Sequence, residues 1–371
     1  MPKTVRTWVE ISESALRHNL RATQALFGAG TLITPVIKAN AYGHGMLQVA
    51  HSLKNTPIWG LSVAYGSEAL TLRQAGIRRK ILVLSYWEPS ELRLLIEQDI
   101  DVVVYDFTTL NQIRRIEERI AKQAMIHLKL DTGTSRIGFL PSDITRLKQT
   151  LKHRAHNVRG IFSHLANAEE YPTRRTISQL AHFDLMVHRL AIKAPYVHLS
   201  CTAASWRYPT SRRDLVRLGL GLYGLWPSAA IRTWSQQHRP KYQLRPVMEW
   251  KSMLAQVKTI PAGTGIGYGS TVRLKKATTI GVVPVGYADG YDRSLSNKAW
   301  VMIDGQPAPV LGRICMNMFM IDLSRGRHPK VGQPITLLGP GISAHELAEM
   351  ATTISYEIVS RISPDIPRRR L

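Results

Sequence analysis

The chain has 371 residues, 44% of them hydrophobic, which is enough for two domains or a large barrel with a smaller unit and too apolar for wholesale disorder. Its 49 lysines and arginines against 26 acidic residues give a formal charge of +23, which favours phosphates and other anions. Two cysteines, Cys201 and Cys315, exclude a disulfide framework and a four-cysteine zinc site, so a reducing cytoplasm and no metal are expected.

The first eleven residues contain Thr7-Trp8-Val9-Glu10-Ile11, rich in strand formers, and these are expected to pair with a later β domain. No signal-peptide core is present and no apolar run reaches transmembrane length, so no membrane partner is expected. Short apolar runs then recur at 32–37, 58–64, 80–86, 101–105, 125–130, 158–164, 196–200 and 215–218. Helical patterns fall between and after them at 45–54, 66–74, 88–98, 108–122, 143–152, 177–191 and 203–208. Eight strands alternating with helices over this length predict a closed (β/α)8 barrel, spanning residues 1–235. Residues 226–245 are polar, hold Pro227 and Pro240, and read as a linker. Beyond them, strands at 248–260, 279–287, 301–303, 316–323 and 334–338, with one helix at 344–351, predict a mainly β domain over 236–371.

Basic clusters stand at Arg78-Arg79-Lys80, Arg174-Arg175, Arg212-Arg213 and Arg368-Arg369-Arg370. No helix-turn-helix, zinc-finger or aromatic RNA-binding signature accompanies them. A diffuse basic surface is therefore expected rather than nucleic-acid binding.

Functional residues of such a barrel belong at the carboxyl ends of its strands. Lys38 ends the first strand, with Tyr42 four residues on; Lys129 and Asp131 end the fifth, with Arg136 in the next loop. His164 ends the sixth, Cys201 and Thr202 follow the seventh, and Arg217, Gly219 and Leu220 end the eighth. A lysine is usually a solvated surface group, and a lone histidine is usually structural. Their joint placement on one face favours a site. A desolvated lysine there can form a Schiff base. The loops after strands seven and eight often hold phosphate, and Thr202 with Gly219 suits that use.

The stretch Val36-Ile37-Lys38-Ala39-Asn40-Ala41-Tyr42-Gly43-His44-Gly45 resembles the pyridoxal-phosphate attachment site of the alanine racemases. The resemblance continues through His127 to Gly133, Arg136-Ile137-Gly138-Phe139, Phe162-Ser163-His164, Val216 to Leu220 and Leu222-Tyr223-Gly224. It extends to Gly267-Tyr268-Gly269, Pro284 to Gly290, Gly312 to Met316 and Tyr356-Glu357, and so covers nearly the whole chain. It implies an enzyme that interconverts L- and D-alanine for peptidoglycan with pyridoxal 5'-phosphate on Lys38. It implies Tyr268 as the second base, reaching the neighbouring subunit's barrel, and hence a homodimer with shared sites. Tyr42, Thr202, Gly219, Leu220 and Tyr356 would hold the cofactor's phosphate; Arg217, supported by His164, would meet its pyridine nitrogen. Arg136 and the backbone at Met316 would bind substrate, Tyr287 would line the entrance, and Lys129 would be open to carbamylation.

Three departures from the family pattern stand out: Asn317 for a usual Asp, Cys201-Thr202 for Asn-Ser, and Thr134-Ser135 for Met-Gly or Met-Asn. Asn317 removes a negative charge near the substrate entrance, which bears on rate and substrate range. The alternatives are a racemase of other amino acids or of a broader set, a decarboxylase of basic amino acids on the same architecture, and a non-catalytic pyridoxal-phosphate carrier. The β domain argues against the carrier, and Tyr268 between glycines argues against the decarboxylase.

Overall fold

The computed structural model describes residues 5–28, 30–152, 157–170, 174–324 and 329–371. Strand β1 (Thr7–Ile11) joins the C-terminal sheet, and Ser12 then caps a helix, Glu13–Phe27, by accepting from the Ala15 amide. Asn19 ties this helix down: its amide donates to the carbonyls of Leu222 and Arg245, and its oxygen accepts from the Arg245 N–H.

Eight parallel strands follow: β2 (Leu32–Pro35), β3 (Leu61–Tyr65), β4 (Ile81–Tyr86), β5 (Val102–Val104), β6 (Met125–Lys129), β7 (Asn157–Phe162), β8 (Tyr196–His198) and β9 (Leu215–Leu218). Full ladders join β2 to β9, β3 to β4, and β5 through β8. Single bridges, Val36 to Ser62 and Leu82 to Asp101, close two seams. The last seam is closed by the Asp214 and Arg217 amides donating to Val197 and Ser200. Their inward and outward faces are covered, as the apolar runs require.

The C-terminal sheet takes β10 (Met248–Met253), β11 (Gln256–Ile260), β14 (Thr278–Val283), β15 (Trp300–Ile303), β16 (Gln306–Leu311), β17 (Phe319–Asp322), β18 (Pro334–Leu338) and β19 (Arg368–Arg370), while β12 (Gly265–Ile266) and β13 (Val272–Arg273) form a small hairpin. The sheet order is β11-β14-β17-β16-β15-β18-β10-β1-β19. β1 pairs antiparallel with β10 and parallel with β19.

The residues read as a polar linker fold differently. Ala229–His238 is a helix, capped by Ser228 and anchored by buried Ile231. Its polar outer face hid it. The expected strand at 316–323 begins only at Phe319, because Cys315 donates to the Met318 carbonyl in a tight turn and leaves Met316 exposed. The run 248–260 breaks at Leu254 and Ala255 into β10 and β11. Several basic residues serve the fold itself. Arg79 donates to the carbonyls of Lys54, Thr56 and Ile58, Arg368 to that of Gly43, and Arg213 pairs with Asp184. No helix among the described residues is long and apolar enough to cross a membrane.

Candidate active site

After β2 the backbone turns left-handed. Ala39, Asn40, Ala41 and Tyr42 all have φ between 51° and 54°. Side chains and neighbours hold this turn. Glu68 accepts from the Ala39 amide at 2.6 Å, and Asn40 accepts from the Met46 amide at 2.8 Å. Gly43 sits so tightly on the helix Ser355–Ser360 that a Cβ there would overlap the Val359 carbonyl oxygen. The turn thereby aims Lys38 into the barrel mouth and sets the Tyr42 ring 6.0 Å from that of Tyr356.

Asp131 organises the loop that presents Arg136. Its carboxylate accepts from the amides of Gly133, Ser135 and Arg136. Gly138, at φ 139°, lets the loop close against the Asp131 backbone. The Phe139 amide then returns to the Lys129 carbonyl.

Arg217 is buried and fully engaged on its two terminal nitrogens. One donates to Nδ1 of His198 at 2.9 Å and to the His198 carbonyl at 3.2 Å. The other donates to the carbonyls of Ser163 at 2.7 Å and Leu199 at 2.9 Å, and to Nδ1 of His164 at 3.2 Å. Behind it the chain continues: Nε2 of His198 lies 3.0 Å from Nδ1 of His127, whose Nε2 lies 3.0 Å from Asp101.

These elements enclose a cavity of about 370 Å³. Its lining includes Lys38, Tyr42, Lys129, Arg136, His164, Thr202, Arg217, Gly219, Leu220 and Tyr356. The barrel residues expected at the site are therefore in one place, with Tyr356 from the C-terminal part, except Asp131, which does not line the cavity and instead braces the Arg136 loop. Tyr268, Tyr287 and Met316 are elsewhere in this chain, 72%, 42% and 55% exposed on the β domain. Tyr287 and Met316 adjoin, since the Tyr287 and Ala288 amides donate to Cys315 and Met316. The Tyr268 turn lies against Arg313 of the same loop.

Sequence reasoning missed Glu169, which accepts from the Tyr356 hydroxyl at 2.6 Å inside the cavity. Glu169-Glu170 reads as a solvated acidic pair, and nothing in the residues signals otherwise. It also passed over Asp101 and His198, whose polar character inside apolar strands was the available signal.

Residues 11–227 match the family profile "Alanine racemase, N-terminal domain", and 247–370 match "Alanine racemase, C-terminal domain". The chain belongs to the alanine racemase family. It is by that membership an amino-acid racemase, an isomerase. Among its relatives are the alanine racemases of Methylacidiphilum infernorum, 37% identical over 99% of this chain and 93% of that one, and of Methanococcus maripaludis, 37% identical over 97% of each. The solved alanine racemase of the D-cycloserine producer Streptomyces lavendulae superposes with a TM-score of 0.93, at 34% identity, over 100% of this chain and 98% of that one. That of Clostridium difficile 630 does so with a TM-score of 0.93, at 34% identity, over 99% and 96%.

The electrostatics suit such an enzyme. Burial lowers the Lys38 pKa, and Arg136 lowers it further against the opposing pull of Glu68. Burial, then Arg136 and Arg217, bring Lys129 to about 7. Burial pushes the Tyr42 and Tyr356 phenols up, so both remain hydrogen-bond donors. Burial and then Arg217 hold His164 well below its ordinary value, so it is neutral. Its Nδ1 accepts from Arg217, which leaves the hydrogen on Nε2.

Proposed function

We propose that the chain interconverts L- and D-alanine with pyridoxal 5'-phosphate, as a cytoplasmic homodimer supplying D-alanine for peptidoglycan. The observation that carries this reading is the convergence of Lys38, Arg136, His164 and Arg217 on one cavity while Tyr268 stands exposed on the other domain. The names of the relatives support alanine as the substrate.

The lining fits the cofactor. At one end Tyr42, Tyr356 and Thr202 bring hydroxyls; that of Tyr356 donates to Glu169 at 2.6 Å and would turn from it to a phosphate, whereas Thr202 already accepts from the Gly219 amide, so its own O–H is free to donate outward. A Cβ on Gly219 would come within 3.0 Å of the Tyr42 hydroxyl and fill this cup. We assign the phosphate to Tyr42, Thr202, Gly219, Leu220 and Tyr356, and the pyridine nitrogen to Arg217. Pyridoxal phosphate, when bound, supplies an electron sink that makes the α-hydrogen of an attached amino acid acidic.

The chain's own groups would do the rest. Lys38, its pKa lowered, takes or returns the proton on the face of D-alanine. Tyr268 of the second subunit serves the opposite face through its hydroxyl. Arg136, with the Met316 backbone of the second subunit, holds the substrate carboxylate, and Tyr287 of that subunit lines the approach. Carbamylated Lys129 would pair with Arg136. Arg217, lowered by burial only to about 10, stays cationic and gives up no proton at neutral pH. Held against a pyridine nitrogen, Arg217 would leave it largely unprotonated, which would weaken the sink and limit side reactions.

Protein supplied with cofactor should racemise L-alanine, and borohydride should fix the cofactor to Lys38. A label on another lysine would refute the site. Label on Lys38 without racemisation of any amino acid in a panel would refute the reaction.

A further inference from the structure

We propose that Asp101 is a positioning residue for Arg217, acting through His127 and His198 as a one-way chain of hydrogen bonds. The four side chains are buried, and they run from the amino end of β5, across β6 and β8, to β9 at the cavity. The three links measure 3.0, 3.0 and 2.9 Å.

The direction follows from the donor inventory. A guanidinium only donates, so Nδ1 of His198 must accept and carries no hydrogen. The hydrogen of His198 is then on Nε2, and it points at Nδ1 of His127, which must accept in turn. The hydrogen of His127 is therefore on Nε2, and it donates to the Asp101 carboxylate. Reversing any link would set a histidine N–H against an Arg217 N–H. The Asp101 carboxylate has no hydrogen to give and can only accept, so it fixes the direction from the far end. It also supplies a negative charge to balance the buried cation.

The surroundings are built for this chain. Gly160 on β7 faces His127, and a Cβ there would overlap the imidazole ring. Phe162 stacks on His198 at 4.7 Å with 5° between planes, and Trp59 meets His127 edge-on at 6.0 Å. Burial, Arg217 and His127 keep His198 well below its ordinary pKa, in line with an accepting Nδ1. With four of its hydrogens held by His198, His164 and backbone carbonyls, Arg217 keeps only Nε–H without a partner among the described residues. The chain thus freezes the guanidinium with that one donor left for the cavity.

This rests on Arg217 meeting the cofactor, but the first measurement does not. Nitrogen-15 NMR of the histidine side chains in the full chain, at pH 7.5, should show His127 and His198 both with hydrogen on Nε2. Hydrogen on Nδ1 of either overturns the proposal, whatever the enzyme does. The second measurement is Asp101→Asn in the cofactor-loaded enzyme. It removes the charge that anchors the chain, so kcat should fall of order tenfold with KM within about twofold, as for other outer partners that orient a working side chain. Keto acid released per racemisation turnover should rise, because a loosened Arg217 no longer controls the pyridine nitrogen. A folded variant with unchanged kcat and unchanged partition overturns the proposal. If the variant does not fold, the tautomer measurement alone decides.

Discussion

Lys129 should react with carbon dioxide, and its surroundings set the extent. Only the neutral amine attacks, forming an N–C bond and releasing a proton to leave a carbamate anion. With a pKa of about 7, about 90% of the amine is neutral at pH 8, against about 0.4% for a lysine at ~10.4. The reactive form is enriched roughly two-hundredfold. The anion then faces Arg136 and Arg217, which lowered the amine's pKa and now stabilise the product. Incubation with 13C-bicarbonate at pH 8 and carbon NMR should show one carbamate per chain, absent in Lys129→Ala. Arg136→Gln should reduce it, since the loss raises the amine's pKa and removes the anion's partner. A signal that persists in Lys129→Ala, or uptake no greater than that of exposed lysines, would refute the reasoning.

Tyr268→Phe should slow α-hydrogen exchange from L-alanine in heavy water by about 10²–10⁴, the usual loss for a general base, and spare exchange from D-alanine. Equal loss from both enantiomers would make Tyr268 a shaping residue only. Inactive Lys38→Ala and Tyr268→Phe chains should regain activity when mixed, because one of the two composite sites in each mixed dimer then holds both bases. No recovery, with subunit exchange verified, counts against shared sites. Gly219→Ala should weaken cofactor binding about tenfold or more, measured by titrating cofactor absorbance, since the new methyl meets the Tyr42 hydroxyl at 3.0 Å. Unchanged affinity would remove the phosphate from that cup.

The barrel was legible because its strands are covered on both faces and so read as unbroken apolar runs. Lys38, Arg136, His164 and Arg217 were legible because barrel chemistry sits at strand ends, and the motifs add what spacing alone does not. The helix Ala229–His238 was not legible, since one buried isoleucine in a polar segment leaves a faint pattern. Nor was β16, where Pro307 and Pro309 argue against a strand. The structure resolves this. Both prolines are exposed and lie before the first residue that pairs with β17. The partners of Asp101 and Glu169 were not legible for a different reason, even though Asp101 itself stands out as a polar residue in an apolar run. The roles of both residues depend on partners dozens or hundreds of residues away, and no local pattern encodes those.

The left-handed turn after Lys38 has an evolutionary consequence. Ala39 and Ala41 are small and chemically inert, and a library designer would choose them first for diversification. Four successive non-glycine residues in this conformation cost about 1–2 kcal/mol each, on the order of 4–8 kcal/mol together. That is comparable to the net stability of a whole domain. Alanine is near the limit of what the turn tolerates, and a β-branched residue at either position exceeds it. Mutational drift at these two alanines is therefore narrowed by the sign of a torsion angle rather than by contact with substrate. The route to new specificity runs through the loops that carry Arg136 and Met316, where Ser135, at φ 52°, is the one non-glycine residue in this conformation among 132–139 and 312–318.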